Sequence, residues 1–175
     1  MGGPVHGAPV GRAASVGRSS SGAARYGGLM PVSIGAMKND ELIDRAESVL
    51  NRKTVNGRLH GDVGAALLSG KGDIYAGVCV DTPGWGLCAE RSAIAAMITA
   101  GEYTVRTIVA VWREDKAIDP NGKLHILPPC GYCRQFMRDI NDDNLGTDVV
   151  LDRNKVIKLK DLLPHHEWPK PFDRR

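Results

Sequence analysis

The sequence predicts a layered α/β domain in which at least part of the central sheet is parallel. Apolar runs typical of buried strands alternate along the chain with segments whose apolar residues recur at helical spacing. The chain has 175 residues, enough to bury the core of one domain but too few for two. No apolar run approaches the length of a membrane span, so we expect no membrane partner.

Residues 1–37 differ in composition from the rest of the chain. They are rich in glycine, serine, alanine and proline, with almost no large apolar residue before Leu29. Such a segment cannot bury enough surface to offset its ordering entropy, so we predict a disordered tail or leader. Its arginines and serines without acids also fit a transit peptide, but its glycines disfavour the amphipathic helix of such peptides. An over-extended start is a further interpretation. The predicted domain comprises residues 38–175.

The charge of that domain is balanced. Three of the 23 lysines and arginines lie in the tail, which leaves 20 against 20 aspartates and glutamates. A protein that grips a polynucleotide backbone normally carries a basic stripe on its folded domain. We therefore expect no stable nucleic-acid partner.

The first half of the domain predicts a helix, a β-hairpin and a second helix. The first helix begins at a capping Asn39 or Asp40. Two apolar runs, 63–68 and 74–80, are joined by a glycine turn and predict the hairpin. A loop over 82–86 then leads to the second helix. The apolar faces of the two helices comprise Leu42, Ile43, Ala46 and Leu50, and then Ala93, Ile94, Met97 and Ile98.

The second half alternates strands and helices in the same way, which is the pattern of crossover connections in a partly parallel sheet. Its predicted elements are a buried strand over 107–112, a polar loop over 113–124 with a turn at 120–122, a helix over 131–140, a strand over 148–151 and a short helix over 159–163.

The cysteines carry the chemistry. Four in a chain of this length do not form the disulfide framework of a secreted protein, so a reducing cytoplasm is the expected setting. Three fall in Cys88-Ala89-Glu90 and Pro129-Cys130-Gly131-Tyr132-Cys133, each where a helix is predicted to begin. Three thiolates can hold a zinc ion and leave its fourth position open for water. Bound zinc lowers the pKa of that water toward neutrality. We predict Cys88, Cys130 and Cys133 as ligands of one Zn²⁺ per chain.

Charged residues adjoin both motifs. Glu90 lies two residues after the first ligand, where it can move protons without binding the metal. Arg91 and Arg134 directly follow Glu90 and Cys133, and we expect both to donate hydrogen bonds to the sulfurs. A zinc ribbon would need a second Cys-x-x-Cys pair, and a thioredoxin-like pair would have no upstream Cys-x-Glu. The combined pattern is the signature of zinc-dependent deaminases.

From Val63 to Pro164 the sequence resembles the cytidine deaminase family, including its blasticidin-S deaminase branch. The resemblance implies a three-layer α/β/α sandwich with a central mixed five-stranded sheet. It also implies one zinc per subunit and a homo-oligomer, a tetramer or a dimer, whose sites neighbouring chains complete. Glu90 would be the proton shuttle, Arg91 would balance the thiolates, and the Ala89 carbonyl would contact the amino group of the substrate. The matching runs are 63–68, 74–77, 86–94, 129–135 and 162–164.

Two positions depart from that family. The Asn-x-Glu that its members use to hold ribose hydroxyls corresponds here to Cys79-Val80-Asp81. Asp81 can still accept from a hydroxyl, whereas Cys79 is a weak partner and is also typical of a small buried apolar residue. The aromatic residue that stacks on the pyrimidine corresponds to Gly61.

Other side chains are candidates to replace those contacts. Trp85, or Trp168 from a neighbouring subunit, can supply an aromatic face, although either can instead cover the core. His60 precedes the first strand of the hairpin and is a further candidate substrate contact, against the alternative of surface hydrogen bonding.

The predicted function is hydrolytic deamination of cytidine or deoxycytidine, with release of ammonia, in cytoplasmic pyrimidine salvage. One alternative is the same chemistry on a blasticidin-S-type compound or another aminated heterocycle. Polynucleotide editing is disfavoured by the balanced charge of the domain. An inactive, zinc-stabilised binding module is an alternative of a different class, but such a module has no need of an unligated Glu90.

Overall fold

The computed structural model of the protein describes residues 39–114 and 122–166. A 3-10 helix, Asp142–Gly146, accompanies the regular elements. The latter are, in chain order, α1 (Asn39–Ser48), β1 (Lys53–Val55), β2 (Arg58–His60), β3 (Val63–Ser69), β4 (Ile74–Val78), α2 (Ala89–Thr99), β5 (Val105–Arg113), β6 (Leu124–Leu127), α3 (Gly131–Ile140), β7 (Asp148–Asp152), β8 (Lys155–Lys158) and α4 (Leu159–Leu162).

The main sheet is mixed, as predicted. Five strands follow one another in the order β4-β3-β5-β7-β8, and β6 makes a sixth. Strands β5 and β7 are parallel, with Thr107 opposite Asp148, while the other pairs are antiparallel. Strand β6 shares one edge of β5 with β7, because it pairs with Ala110–Arg113 whereas β7 pairs with Thr107 and Ile108. The sheet therefore has one strand more than expected.

Helices cover both faces of this sheet, which confirms the three-layer architecture. Neighbouring strand residues point to opposite faces. Leu67, Ile108 and Val149 pack in one cluster with α2 and α3, and the adjacent Ala66, Val109 and Val150 pack in another with α1. The predicted inward faces of α1 and α2 lie in these clusters. The buried members contributed by the helices are Leu42, Ile43 and Ala46 from α1, Ala93, Ile94 and Met97 from α2, and Met137 from α3.

Two glycines allow the helices to approach the sheet closely. A Cβ atom built on Gly64 would lie 2.3 Å from the carbonyl oxygen of Ala46 in α1. One built on Gly77 would lie 2.5 Å from the backbone nitrogen of Ala93 in α2. Both neighbours are backbone atoms that cannot move alone, so only glycine fits at these positions.

The predicted hairpin forms, but its second strand is shorter than expected. Strand β4 ends at Val78, and Val80 instead forms an isolated bridge with Leu87. The chain turns away from β3 there and doubles back on itself. This short bridge delivers the chain to Cys88.

Four short strands were not predicted. Strands β1 and β2 form a hairpin, β6 ends the loop predicted over 113–124, and β8 pairs with β7. All have only three or four residues, and β1 and β8 are mostly exposed, so no alternation of apolar residues marks them. A signal did exist for the first hairpin: Asn56-Gly57 has two positive φ angles, 51° and 73°, which a two-residue β-turn of this kind requires.

Some predictions fall outside the described residues, namely the disordered tail over 1–37, most of the turn at 120–122, and the contact from Trp168. Within residues 39–114 and 122–166, no helix is long and apolar enough to cross a membrane.

Candidate active site

Three cysteines from two helix N-termini converge on one point. Cys88 is the N-cap of α2, Cys130 is the N-cap of α3, and Cys133 lies in the first turn of α3. The Sγ atom of Cys130 lies 3.9 Å from that of Cys88 and 3.6 Å from that of Cys133, and all three lie within 4.8 Å of one another. The fold thus brings together ligands that are forty-two residues apart in sequence.

The local backbone explains how both helix starts present sulfur. Cys88 and Cys130 have extended φ and ψ angles, −63°/150° and −66°/166°, as N-cap residues do. The Sγ atom of Cys130 accepts a hydrogen bond from the backbone N–H of Cys133 at 3.5 Å, in the way that a capping oxygen would. Cys130 thus caps α3 through its side chain, whereas Cys88 makes no side-chain cap, and the positive end of each helix dipole favours a thiolate at both positions.

The spacing of the three sulfurs fits a zinc ion. Zinc–thiolate bonds of about 2.3 Å in a tetrahedron require sulfurs about 3.8 Å apart. Burial raises the pKa of the Cys133 thiol, and the nearby charges of Glu90 and Cys88 raise it further. Burial alone would raise the pKa of Cys130 too, but hydrogen bonds from Cys133 bring it below its ordinary value. A cation between the sulfurs is what allows all three to be thiolates. The donor set therefore fits one Zn²⁺.

Arg91 is held against this cluster. Its guanidinium donates to the carbonyl oxygen of Gly86, lies 3.9 Å from Sγ of Cys88, and stacks over the ring of Tyr132 at 4.3 Å from the ring centre. Burial alone would lower the pKa of Arg91, but the Cys88 sulfur raises it above its ordinary value. A positive charge in contact with the cluster offsets the excess negative charge of three thiolates.

Glu90 is a buried carboxyl group beside the thiols. Its residue is only 6% exposed, in the first turn of α2. Burial raises the pKa of Glu90, and its own backbone N–H, a hydrogen bond with Cys133 and the charge of Arg91 offset part of that rise. A carboxyl group whose pKa is raised in this way holds a proton more readily than an exposed one, which suits a group that moves protons.

Arg134 has partners other than those expected from its position after Cys133. Its Nε donates to the carbonyl oxygen of Pro129 at 2.8 Å, and its Nη1 donates to that of Leu162 at 2.9 Å. The guanidinium is thus used by two backbone carbonyls rather than by sulfur. It ties the peptide before Cys130 to the end of α4, so it holds a ligand in place without contacting it.

Cys79 also differs from its expected role. Its thiol donates to Oδ1 of Asp62 at 3.0 Å and accepts from the backbone N–H of Val63 at 3.4 Å. Burial raises the pKa of Cys79, and the hydrogen bond to Asp62 raises it further. Cys79 also packs against the buried cluster of Ala65, Ala89 and Ala110. Both hydrogen-bonding capacities of the thiol are therefore used within the protein.

His60 and Asp81 lie side by side next to this thiol. The backbone N–H of Asp81 donates to Nδ1 of His60 at 3.1 Å, and the backbone N–H of Gly61 donates to the carbonyl oxygen of Cys79 at 3.0 Å. Val80 is paired with Leu87, the residue before Cys88. These contacts set the segment 60–62 beside the segment 79–81, which in turn adjoins the zinc-binding loop.

The remaining predicted contacts are less closely tied to the cluster. Trp85 is 81% exposed on the loop before Cys88, and its carbonyl oxygen accepts a hydrogen bond from the Thr82 hydroxyl. Ala89 is fully buried as the first residue of α2. The sequence did not indicate a role for Tyr132, which lies between Cys130 and Cys133. Its stacking on Arg91, visible only in the structure, suggests one.

An aromatic residue at position 61, as in the resembling family, would be strained by the positive φ angle and would require the Asn51 side chain to move. The φ angle of Gly61 is +67°, and a Cβ atom there would lie 1.9 Å from Oδ1 of Asn51. The backbone N–H of Asn51 also donates to the Gly61 carbonyl oxygen at 3.0 Å. The backbone of this segment therefore favours glycine at position 61.

Comparison with known proteins finds several relatives. Residues 37–146 match the family described as the cytidine and deoxycytidylate deaminase zinc-binding region. A probable cytidine deaminase from Dictyostelium discoideum is 35% identical over 85 residues, which are 47% of this chain and 52% of that protein. Blasticidin-S deaminase from Bacillus cereus is 28% identical over 129 residues, which are 71% of this chain and 88% of that protein.

A solved structure extends the similarity to the fold. The crystal structure of cytidine deaminase from Burkholderia pseudomallei matches with a TM-score of 0.57 and 27% identity, covering 74% of this chain and 98% of that one. The chain spans about half the length of the Dictyostelium relative. The family match covers more than half of the chain and includes all three clustered cysteines. The chain therefore belongs to the family of cytidine and deoxycytidylate deaminases.

Proposed function

We propose that the domain is a zinc-dependent hydrolytic deaminase that converts cytidine or deoxycytidine to the uracil form. In this reaction the oxygen of water replaces the exocyclic amino group, and ammonia leaves. The observation that carries the proposal is the buried carboxyl group of Glu90 next to the cluster of Cys88, Cys130 and Cys133. Such a reaction needs one group that moves protons from water to nitrogen.

The residues of the chain divide this work between them. Cys88, Cys130 and Cys133 would hold the zinc ion, with Arg91 against the Cys88 sulfur. When bound, zinc supplies the Lewis acidity that makes a water molecule acidic near neutral pH. Glu90 would take a proton from water, deliver it to the ring nitrogen of the substrate, and pass a second proton to the departing amino group. One proton of the water thus stays on the ring nitrogen of the product, and the other leaves with ammonia.

The burial of Glu90 argues against an inactive, zinc-stabilised module. Burying a carboxyl group costs free energy unless it gains partners, and the side-chain partner of this one is a cysteine of the cluster, Cys133. A structural zinc site would be more stable with an apolar side chain at that position. Retention of a buried, unligated acid is typical of a catalytic group.

The second candidate is the same chemistry on blasticidin S or another aminated ring. The similarity to the Bacillus cereus blasticidin-S deaminase covers 88% of that protein, against 52% of the Dictyostelium relative. Two positions that contact the nucleoside in the resembling family are altered here: Gly61 stands where the pyrimidine would stack, and Cys79 stands where the ribose hydroxyls would bind. These two changes support a substrate that is held by other contacts than those of an ordinary nucleoside.

We further propose a cytoplasmic homo-oligomer, a tetramer or a dimer, acting in pyrimidine salvage. Two exposed aromatic side chains lie near the cysteines. Trp85, three residues before Cys88, is 81% exposed, and Tyr132, between Cys130 and Cys133, is 55% exposed. Burying them against another copy would remove apolar surface from water. The four cysteines are free thiols, as is typical of a reducing compartment. Analytical ultracentrifugation of the zinc-loaded protein tests the oligomeric state.

A spectrophotometric screen tests the activity. Zinc-loaded protein is assayed on cytidine, deoxycytidine, cytosine and blasticidin S, with Glu90→Gln as the inactive comparison. The matched control is Glu102→Gln, which removes another glutamate that is also 6% exposed but lies at the opposite end of α2. Glu90→Gln should keep its zinc and lose at least about 100-fold in kcat, whereas Glu102→Gln should keep both zinc and turnover.

The outcomes separate the candidates. Turnover of cytidine supports the nucleoside enzyme, and turnover of blasticidin S alone supports the second candidate. A Glu90→Gln variant as active as wild type would contradict the proposed role of Glu90. Zinc-loaded wild type without activity on any of the four compounds would contradict the proposed reaction.

A further inference from the structure

Segments 60–62 and 79–81 form one edge of the site. One polar side chain there is hydrogen-bonded within the protein, and two others have hydrogen-bonding atoms available to a ligand. The Cys79 thiol is occupied, because it donates to Asp62 and accepts from Val63. Within residues 39–114 and 122–166, neither Nε2 of His60 nor the carboxylate of Asp81 has a recorded protein partner. The side chain of Asp81 is exposed and that of His60 is half-buried.

The backbone fixes the chemical character of His60. Because Nδ1 accepts the N–H of Asp81 at 3.1 Å, the neutral imidazole carries its proton on Nε2. His60 thus presents a donor, and the neighbouring Asp81 presents an acceptor. A sugar diol both accepts and donates hydrogen bonds, so this pair is complementary to it.

We propose that His60 is a specificity-determining residue whose Nε2–H, beside the carboxylate of Asp81, binds the sugar hydroxyls of the substrate in place of Cys79. The proposal rests on the proposed function and deepens it, since it assigns the substrate class as a ribosyl or hydroxylated cytosine derivative rather than the free base. Cys79 then has a positioning role: its bond to Asp62 holds segment 60–62, and with it His60, against segment 79–81.

The test is a change that removes the donor and keeps the local structure. In His60→Asn, the side-chain Oδ1 can still accept from the N–H of Asp81, but no group remains at the position of Nε2. The matched control is His125→Asn. The side chain of His125, on β6, is 43% exposed and pairs with Glu114 rather than with the segment 79–81. Zinc content and melting temperature are measured for both variants.

The readout is the ratio of kcat/KM for cytidine to that for cytosine. We expect His60→Asn to lower kcat/KM for cytidine by about 10-fold to 100-fold, mostly through KM, with little change for cytosine. Assays with 2′-deoxycytidine and 3′-deoxycytidine identify the hydroxyl, because the variant should lose least on the substrate that already lacks it. Asp81→Asn should likewise lower kcat/KM for cytidine more than kcat/KM for cytosine.

Each outcome bears on a different claim. If wild type deaminates both compounds and His60→Asn lowers them equally, or lowers neither, His60 does not bind the sugar and the inference is wrong. If zinc-loaded wild type deaminates none of the compounds, the proposed function fails first. A loss of zinc or of folding in His60→Asn would give equal losses on both substrates and so would count against the inference. Cys79→Ala then provides the second variant: it should reduce cytidine turnover less than His60→Asn does.

Discussion

The guanidinium carbon of Arg91 lies 4.3 Å from the centre of the Tyr132 ring. Arg91 follows Cys88 on α2, and Tyr132 lies between Cys130 and Cys133, so the contact joins the two motifs. The same guanidinium contacts the carbonyl oxygen of Gly86 and Sγ of Cys88. Arg91 therefore links both cysteine motifs. The position of its charge against the sulfurs depends on an exposed tyrosine.

Replacing Tyr132 should weaken zinc binding without preventing it. A cation–π contact at an exposed site is worth about 0.5–1 kcal/mol, so Tyr132→Leu should lower zinc affinity by about 2-fold to 5-fold. Arg91→Gln removes the charge itself and should lower it by about 10-fold to 100-fold. Tyr103→Leu is the matched control, because Tyr103 is 53% exposed against 55% for Tyr132. Competition with a chromophoric chelator measures the affinities, and equal values for the two tyrosine variants would contradict the role of Tyr132.

The four cysteines should divide into three that bind zinc and one that does not. Cys88→Ser, Cys130→Ser and Cys133→Ser should each reduce zinc from one ion per chain to near zero. Cys79→Ser should retain the metal, since its thiol contacts Asp62 and Val63 instead. Added zinc should raise the melting temperature of wild type and of Cys79→Ser only, because a ligand stabilises just the folded state that binds it. Metal analysis and calorimetry check both statements, and loss of zinc from Cys79→Ser would contradict the ligand assignment.

The sequence predicted the core of the fold because long apolar elements dominate it. Both helix faces, the hairpin of β3 and β4, and strands β5 and β7 follow from apolar periodicity. The short strands did not, because three or four half-exposed residues leave no periodic pattern. The cluster of Cys88, Cys130 and Cys133 could be predicted from spacing, whereas the partners of Arg134 and Cys79 could not. Those partners, Leu162 and Asp62, are distant in sequence, and the tertiary fold rather than a local sequence pattern brings them into contact.

Gly61 provides a test of how tightly the segment beside the site is folded. Gly61→Ala places a methyl group 1.9 Å from Oδ1 of Asn51 at a φ of +67°. Gly57→Ala has a similar φ of +73° but no atom within 4 Å, so it isolates the backbone cost of about 1 kcal/mol. We expect Gly61→Ala to lower the free energy of unfolding by at least about 1 kcal/mol more than Gly57→Ala. Denaturant titrations measure both.

A double variant identifies the cause. Adding Asn51→Ala to Gly61→Ala should recover part of the difference, because the clashing side chain is gone. Equal losses in the two glycine variants would mean that the segment shifts freely and that an aromatic residue could be accepted at position 61.

Tyr75 and Glu102 form a part-buried hydrogen bond, and the pH dependence of its contribution to stability is predictable. The hydroxyl of Tyr75 donates to Oε1 of Glu102 at 2.7 Å and ties β4 to the segment after α2. Burial raises the pKa of Tyr75 to about 12, with Glu102 adding to the rise. Tyr75→Phe should lower the free energy of unfolding by about 1.5–3 kcal/mol, the usual range for a hydrogen bond to a charged group. Tyr103→Phe, on the exposed segment nearby, is the control.

The sign of the pH dependence follows from the direction of that shift. Because the pKa of Tyr75 is higher in the folded state, its contribution is fully present below the ordinary tyrosine range near 10. As the pH rises from about 10 to 12, the unfolded chain loses this proton first, which favours unfolding. The difference in unfolding free energy between wild type and Tyr75→Phe should therefore stay constant from pH 7 to 9 and shrink between pH 10 and 11. A difference that grows over that interval would mean that the folded state ionises Tyr75 more readily than the unfolded chain does.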